Sequence, residues 1–260
     1  MENIETLDRF EEYLAKRASA GTVRVYIHAL KLWLTSLNGQ EPTQKAAQDY
    51  IDMLTQSGLS ASTINLRGQS IIRWFKWQGK SITIDMPTVR LGEPEYLTMQ
   101  EVSRLLASCR NILEKAIITV LFDTAIRASE LLGITLDDID WENGLVTVTR
   151  KGGRREDVNI SEKALEVLSE WIESRTSKSR YVFMDLTYYD LWLTVRGVGK
   201  RAGIKIHPHL LRHSRAVQMR KSGAKIEDIK DHLGHVNIST TANLYSRFKA
   251  IDLKERIPSW

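Results

Sequence analysis

The 260-residue chain is 42% hydrophobic and 27% charged, with 37 lysines and arginines against 32 aspartates and glutamates for a net charge of +5. That many apolar residues excludes a disordered chain, and a single cysteine, Cys109, excludes an internal disulfide framework or a multi-cysteine metal site. The mild positive charge permits a nucleic-acid partner without requiring one, and the acidic start with no long apolar run argues against export or a membrane partner, so a cytoplasmic protein is expected.

Taken in chain order, the first part reads as four short helices. Leu7, Phe10 and Leu14 mark one; Tyr26, Ala29, Leu30, Trp33, Leu34 and Leu37 mark a second, amphipathic one. Ala47, Tyr50, Ile51 and Leu54 mark a third, closed by Gly58, and Ile64, Ile71, Ile72 and Phe75 a fourth, which also carries Arg67, Arg73 and Lys76. Such helices pack as a small bundle over residues 1–82. Helical spacing stops after Ile82, where Pro87, Gly92 and Pro94 punctuate a mixed-charge stretch, so 83–96 is expected to be a linker. Thr98 and Glu101 form a capping box that opens a second domain, 97–260.

In that domain Leu113, Ala116, Ile117, Val120 and Leu121 form an apolar stripe suited to a central helix. The period changes only around Gly152-Gly153, where Leu145–Thr149 and Glu156–Ile160 alternate β-branched with polar residues and predict a hairpin. Helical spacing returns at Ser161, with Ala164, Leu165, Leu168 and Ile172, then again from Pro208 to Gly223 and from Ile226 to Leu233. The fold expected is mainly α with a small antiparallel sheet.

Chemistry is suggested by grouping, since a lone arginine or histidine is more often structural. Arg127 directly follows the core helix, and Glu130, three residues on, can reach back to orient its guanidinium, giving a buried arginine poised for a phosphate; the plainer alternative is a structural ion pair. The hairpin turn carries Arg150, Lys151, Arg154 and Arg155, which suit either a solvated tip or a finger directed at DNA. On the next motif, His207-Pro208-His209-Leu210-Leu211-Arg212-His213, His209 and Arg212 share a helix face. No carboxylate or cysteine lies at ligand spacing, so a metal is not expected. His235 follows a helix end at Gly234, and Tyr245 lies ten residues beyond. Tyr188 and Tyr189 read as aromatics on a helix surface.

In this order the motifs resemble those of the tyrosine recombinases, particularly the compact two-domain Xer-type and phage or archaeal integrases. The resemblance rests on Ala125-Ile126-Arg127 with Glu130-Leu131, Lys151 in a hairpin, His209-Leu210-Leu211-Arg212-His213, and Leu233-Gly234-His235 leading to Tyr245. It implies a SAM-like, core-binding N-terminal domain before a catalytic domain, and a site-specific recombinase that forms a 3′-phosphotyrosyl intermediate without cofactor or ATP. It further implies double-stranded DNA as partner, a homo-oligomer on DNA forming a tetrameric synapse, a partner recombinase or accessory protein, and a nucleoid location.

The residue types suit this reaction. Arg127, Arg212 and His235 can meet the charge that grows on the non-bridging oxygens as Tyr245 attacks. His209 is the candidate base for the phenol, and Lys151 the candidate acid for the departing 5′ oxygen. Arg67, Arg73, Lys76, Arg150, Arg154 and Arg155 are candidate DNA contacts, and His213 reads as a neighbour that packs the site. The tail 246–260 reads as a short amphipathic segment. The rivals are a type IB topoisomerase, which reseals the original strand, and a DNA-binding protein of the same fold without turnover.

Overall fold

Ser19, Thr43 and Ser60 each accept a backbone N–H three residues onward, and so set where three of the first helices begin. The computed structural model describes residues 2–89, 95–150, 152–184 and 186–234. The chain divides into two compact units, Met1–Gly92 and Glu93–Trp260.

The first unit holds α1 (Glu2–Ala15), α2 (Ala20–Ser36), α3 (Gln44–Gln56) and α4 (Ala61–Trp77). Helix α2 packs on α1, α3 and α4, and α3 packs on α4. Their apolar faces meet in a core centred on Phe10, Leu30, Trp33, Ile51, Ile71, Trp74 and Phe75. The rings of Trp33 and Trp74 meet edge to face at 5.6 Å, the orientation that ring quadrupoles favour. The segment after α4 is part of this unit and not wholly a linker. Ile84 is buried in the core, the Asp85 N–H donates to Gln48 Oε1 at 2.8 Å, and Met86 covers Gly68, where a Cβ would collide with its sulfur.

The second unit is built on α6 (Ile112–Asp123), of whose twelve residues Ala116, Ile117, Ile118, Val120, Leu121 and Phe122 are buried. A helix apolar on every side must be covered on every side. Helices α5 (Met99–Ala107), α8 (Glu162–Ser174), α9 (Tyr188–Ala202) and α10 (Pro208–Lys221) pack around it. The short α7 (Ala128–Leu132) follows α6, and α11 (Ile226–Leu233) packs on α10. The Thr98–Glu101 capping box starts α5 as the spacing predicts. His207 caps α10, its Nδ1 accepting the Leu210 N–H at 3.1 Å, so the first histidine of the motif has a structural partner.

One antiparallel sheet runs β1-β2-β3, with β1 at Ile139–Asp140, β2 at Leu145–Thr149 and β3 at Arg155–Asn159. Val146 pairs with Val158 and Val148 with Glu156, which turns both valines of β2 into the core. The turn closes with the Arg150 N–H on Arg154 O at 2.7 Å and the Gly153 N–H on Arg150 O at 3.1 Å. Gly152 and Gly153 take φ of 91° and 82° there, which L side chains rarely adopt. Among the described residues, no helix is long and apolar enough to cross a membrane.

Candidate active site

The end of α6 sets the site's first arginine. Ala125, fully buried, has a φ of 52° in the left-handed region, a conformation that costs an alanine energy and that only dense surroundings sustain. The chain turns there, and Arg127 becomes the residue just before α7. Its backbone N–H donates to Glu130 Oε2 at 2.8 Å, and its Nη1 to Glu130 Oε1 at 2.5 Å. The i to i+3 pair expected between these residues is present. The burial is reversed, however: the Arg127 side chain is 41% exposed while that of Glu130 is 4% exposed. A guanidinium tethered at one nitrogen thus keeps other N–H donors open to solvent or a ligand.

The second arginine comes from α10. Arg212 is 3% exposed, with Nη1 donating to Ala125 O at 2.5 Å and Nη2 to Leu233 O at 2.6 Å. The strained turn before Arg127 and the end of α11 therefore share one guanidinium. Burial, then the charge of Arg127, lowers the Arg212 pKa to about 9, so it stays cationic near neutrality. His209 lies one turn earlier on the same helix. His209 is exposed, and partial desolvation followed by the charges of Arg212, His207 and Arg127 lowers its pKa, which favours the neutral imidazole. His213 is more enclosed, and burial followed by the nearby His209 pushes its pKa down to about 4.

Arg127, His209 and Arg212 line one cleft of about 160 Å³ together with Ser129, Pro208 and Tyr188. Two cations and a neutral imidazole at one concave point can bind a phosphate, neutralise charge growing on its oxygens and take up a proton. Tyr188 is on a helix surface as expected, yet it belongs to this cleft, a placement that only tertiary packing creates. Among the described residues, no group of histidines, cysteines and carboxylates could hold a metal ion.

Arg150 is not where a basic turn suggested. Its side chain is 5% exposed, bonded through Nη1 to Glu130 and through Nε to Glu156 at 2.8 Å. It points into the fold, so it is removed from the candidate DNA contacts. Arg154 and Arg155 do stand out from the hairpin, each also paired with a carboxylate, Glu156 and Asp138 respectively. In the first unit Arg73 and Lys76 border an open groove with Tyr13, Tyr26 and Trp77, and Arg73 lies over the Tyr26 ring. Arg67 donates to the Tyr50 hydroxyl at 3.1 Å. Lys151, His235 and Tyr245 lie outside the described residues, as does the tail 246–260.

Comparison with known proteins places the chain among characterised families. The sequence model of the phage integrase family matches residues 95–250, and that of the phage integrase N-terminal SAM-like domain matches 7–78. Tyrosine recombinase XerA of Pyrococcus furiosus is 32% identical over 268 residues, covering 97% of this chain and 93% of that protein. Tyrosine recombinase XerD of Listeria monocytogenes serotype 4b is 26% identical, with 91% of each chain covered. Among solved structures, XerH bound to palindromic difH in a post-cleavage complex aligns with a TM-score of 0.78 at 19% identity, covering 96% of this chain and 82% of that one. The crystal structure of XerA recombinase aligns with a TM-score of 0.58 at 24% identity, covering 98% and 100%.

Proposed function

The chain belongs to the phage integrase family of tyrosine recombinases, and on that premise we propose how its residues divide the work of site-specific DNA recombination. The observation that carries the assignment is the convergence of Arg127, His209 and Arg212 on one cleft. The two guanidiniums hold the non-bridging oxygens of a scissile phosphate, and His235 adds a further hydrogen bond. Tyr245 attacks phosphorus through its phenol oxygen and passes its proton to His209. A new P–O bond to the tyrosine forms as the bond to the 5′ oxygen breaks, and Lys151 donates a proton to that oxygen. A 5′ hydroxyl from a partner duplex then reverses the step on a new strand, so no ATP is consumed.

Domain roles follow the same premise. Residues 1–82, with Ile84–Met86 packed on them, form the core-binding domain, with Arg67, Arg73 and Lys76 on phosphates; the rest of 83–96 connects it to the catalytic domain 97–260, where Arg154 and Arg155 meet the backbone. The active assembly is a tetramer on two duplexes, serving Xer-like dimer resolution or the movement of a mobile element. The recombinase relatives favour this reading over a type IB topoisomerase.

The test is covalent trapping. The protein is incubated with a nicked, labelled library of genomic fragments and quenched in denaturant. Attachment at a few 3′ phosphates, abolished in Tyr245→Phe while DNA binding persists, is the expected result. Scattered attachment would instead favour the topoisomerase, and cleavage unchanged in Tyr245→Phe would remove Tyr245 from its role.

A further inference from the structure

The buried charges of the second unit are not matched one acid to one base. Glu130, 5% exposed, serves two arginines: Oε1 accepts from Arg127 Nη1 at 2.5 Å, and Oε2 from Arg150 Nη1 at 2.7 Å. Arg150 is itself engaged through all three nitrogens, because Nε donates to Glu156 Oε2 at 2.8 Å and Nη2 to His232 O at 3.3 Å. The end of α11 is shaped to admit it. A Cβ at Gly234, where φ is 60°, would stand 2.5 Å from Arg150 Nε and 2.7 Å from its Cζ. Lysine, with one point charge, could not span these three acceptors.

We infer that Arg150 is a positioning residue for strand cleavage, acting through Glu130 to keep Arg127 oriented toward the phosphate. A carboxylate paired with Arg127 alone would cancel its charge and draw the whole guanidinium inward. Shared with Arg150, which Glu156 also engages, the carboxylate of Glu130 is held from a second side and fixes the Arg127 guanidinium by one nitrogen only, with its other donors free for a phosphate. Arg150 does not line the cleft that Arg127, His209 and Arg212 share, and each of its three nitrogens is bonded within the fold, so it acts through Glu130. This rests on the reading above, in which Arg127 meets the scissile phosphate.

The experiment compares two substrates built on the cleavage site recovered by trapping: a nicked duplex with a normal scissile phosphodiester, and one with a methylphosphonate there. Replacing a non-bridging oxygen by methyl removes the charge that a cation must neutralise. Single-turnover cleavage of the phosphodiester by R150M is expected to fall by about 100-fold, with R150K recovering about tenfold of it, while DNA affinity is unchanged. On the methylphosphonate the R150M defect shrinks to within about threefold, as does that of R127A, because cationic stabilisation no longer limits the reaction. Should R150M not fold, R150Q, which retains an N–H donor for the buried carboxylate, is read in its place with the same expectation. Equal defects of the Arg150 variants on both substrates, with R127A suppressed, would overturn the role of Arg150 alone, as would an R150K no better than R150M. A full R127A defect on the methylphosphonate would overturn the reading of Arg127, and this inference with it.

Discussion

The two units treat buried polarity in different ways. In the helical bundle the core is aromatic and aliphatic, Ser70 returns its hydroxyl to Leu66 O of its own helix, and the indole N–H groups of Trp33 and Trp74 have no partner among the described residues. In the second unit Glu130, Arg150 and Arg212 are buried and multiply bonded. Taking charges out of water costs several kcal/mol each, and well-placed partners offset this without making the cluster a strong source of stability. Under the proposed function, a unit that grips DNA with surface side chains has no need of that cost, whereas one that meets phosphate charge in a cleft has to bring cations there, and its fold carries the acids that hold them.

Three changes would sharpen or break this contrast. The largest effect is expected in the bundle, where Trp74→Ala empties a site that is 1% exposed and should destabilise the first unit by about 4 kcal/mol. Scanning calorimetry would check it: the transition of the first unit moves down, and one of the second unit that moved equally would contradict the separation. Next, Glu130→Gln removes the shared carboxylate charge and leaves two arginines facing each other, for a loss of about 3 kcal/mol in the second unit. Urea unfolding monitored by a probe in that unit would measure it, and a loss no greater than that of an exposed pair, well under about 1 kcal/mol, would show the cluster to be better solvated than its burial suggests.

The smallest effect concerns pH. Burial and the neighbouring His209 lower the His213 pKa to about 4 from its ordinary 6.5. Between these values the unfolded chain binds a proton that the folded chain does not, so stability is greatest above the ordinary value and declines as pH falls toward the lowered one. Allowing for partial solvation, the expected loss is about 2 kcal/mol between neutral pH and about pH 4, and His213→Asn should flatten that slope. Denaturation midpoints at a series of pH values decide it. Glu130 works in the same direction: burial opposes its charge, but the Arg127 hydrogen bonds and the Arg150 charge outweigh it, and its pKa is lowered on balance.

Local rules account for much of the architecture. The bundle helices, the capping box at Thr98, the hairpin around Gly152-Gly153 and the Arg127–Glu130 pair are each encoded within a few residues, where periodicity, caps and turn glycines act. Two segments lack such a local signature. The strand β1, two residues long, is too short to show a period, and Ile84 joins the bundle core although prolines and glycines surround its segment.

What the sequence by itself determined is the class of fold and the inventory of the site: two arginines, a histidine between them in order, and an acid at helical spacing from the first. Tertiary structure alone decided which arginine is buried and which is open. Arg127 and Arg150 look alike in sequence, one after a helix and one at a turn, yet the former is half open and the latter enclosed by Glu130, Glu156 and the end of α11. Tyr188, twenty or more residues of chain from every other lining residue, enters the cleft for the same reason. Exposure of a charged side chain depends on partners brought from distant parts of the chain, and no local pattern reports where those partners will be.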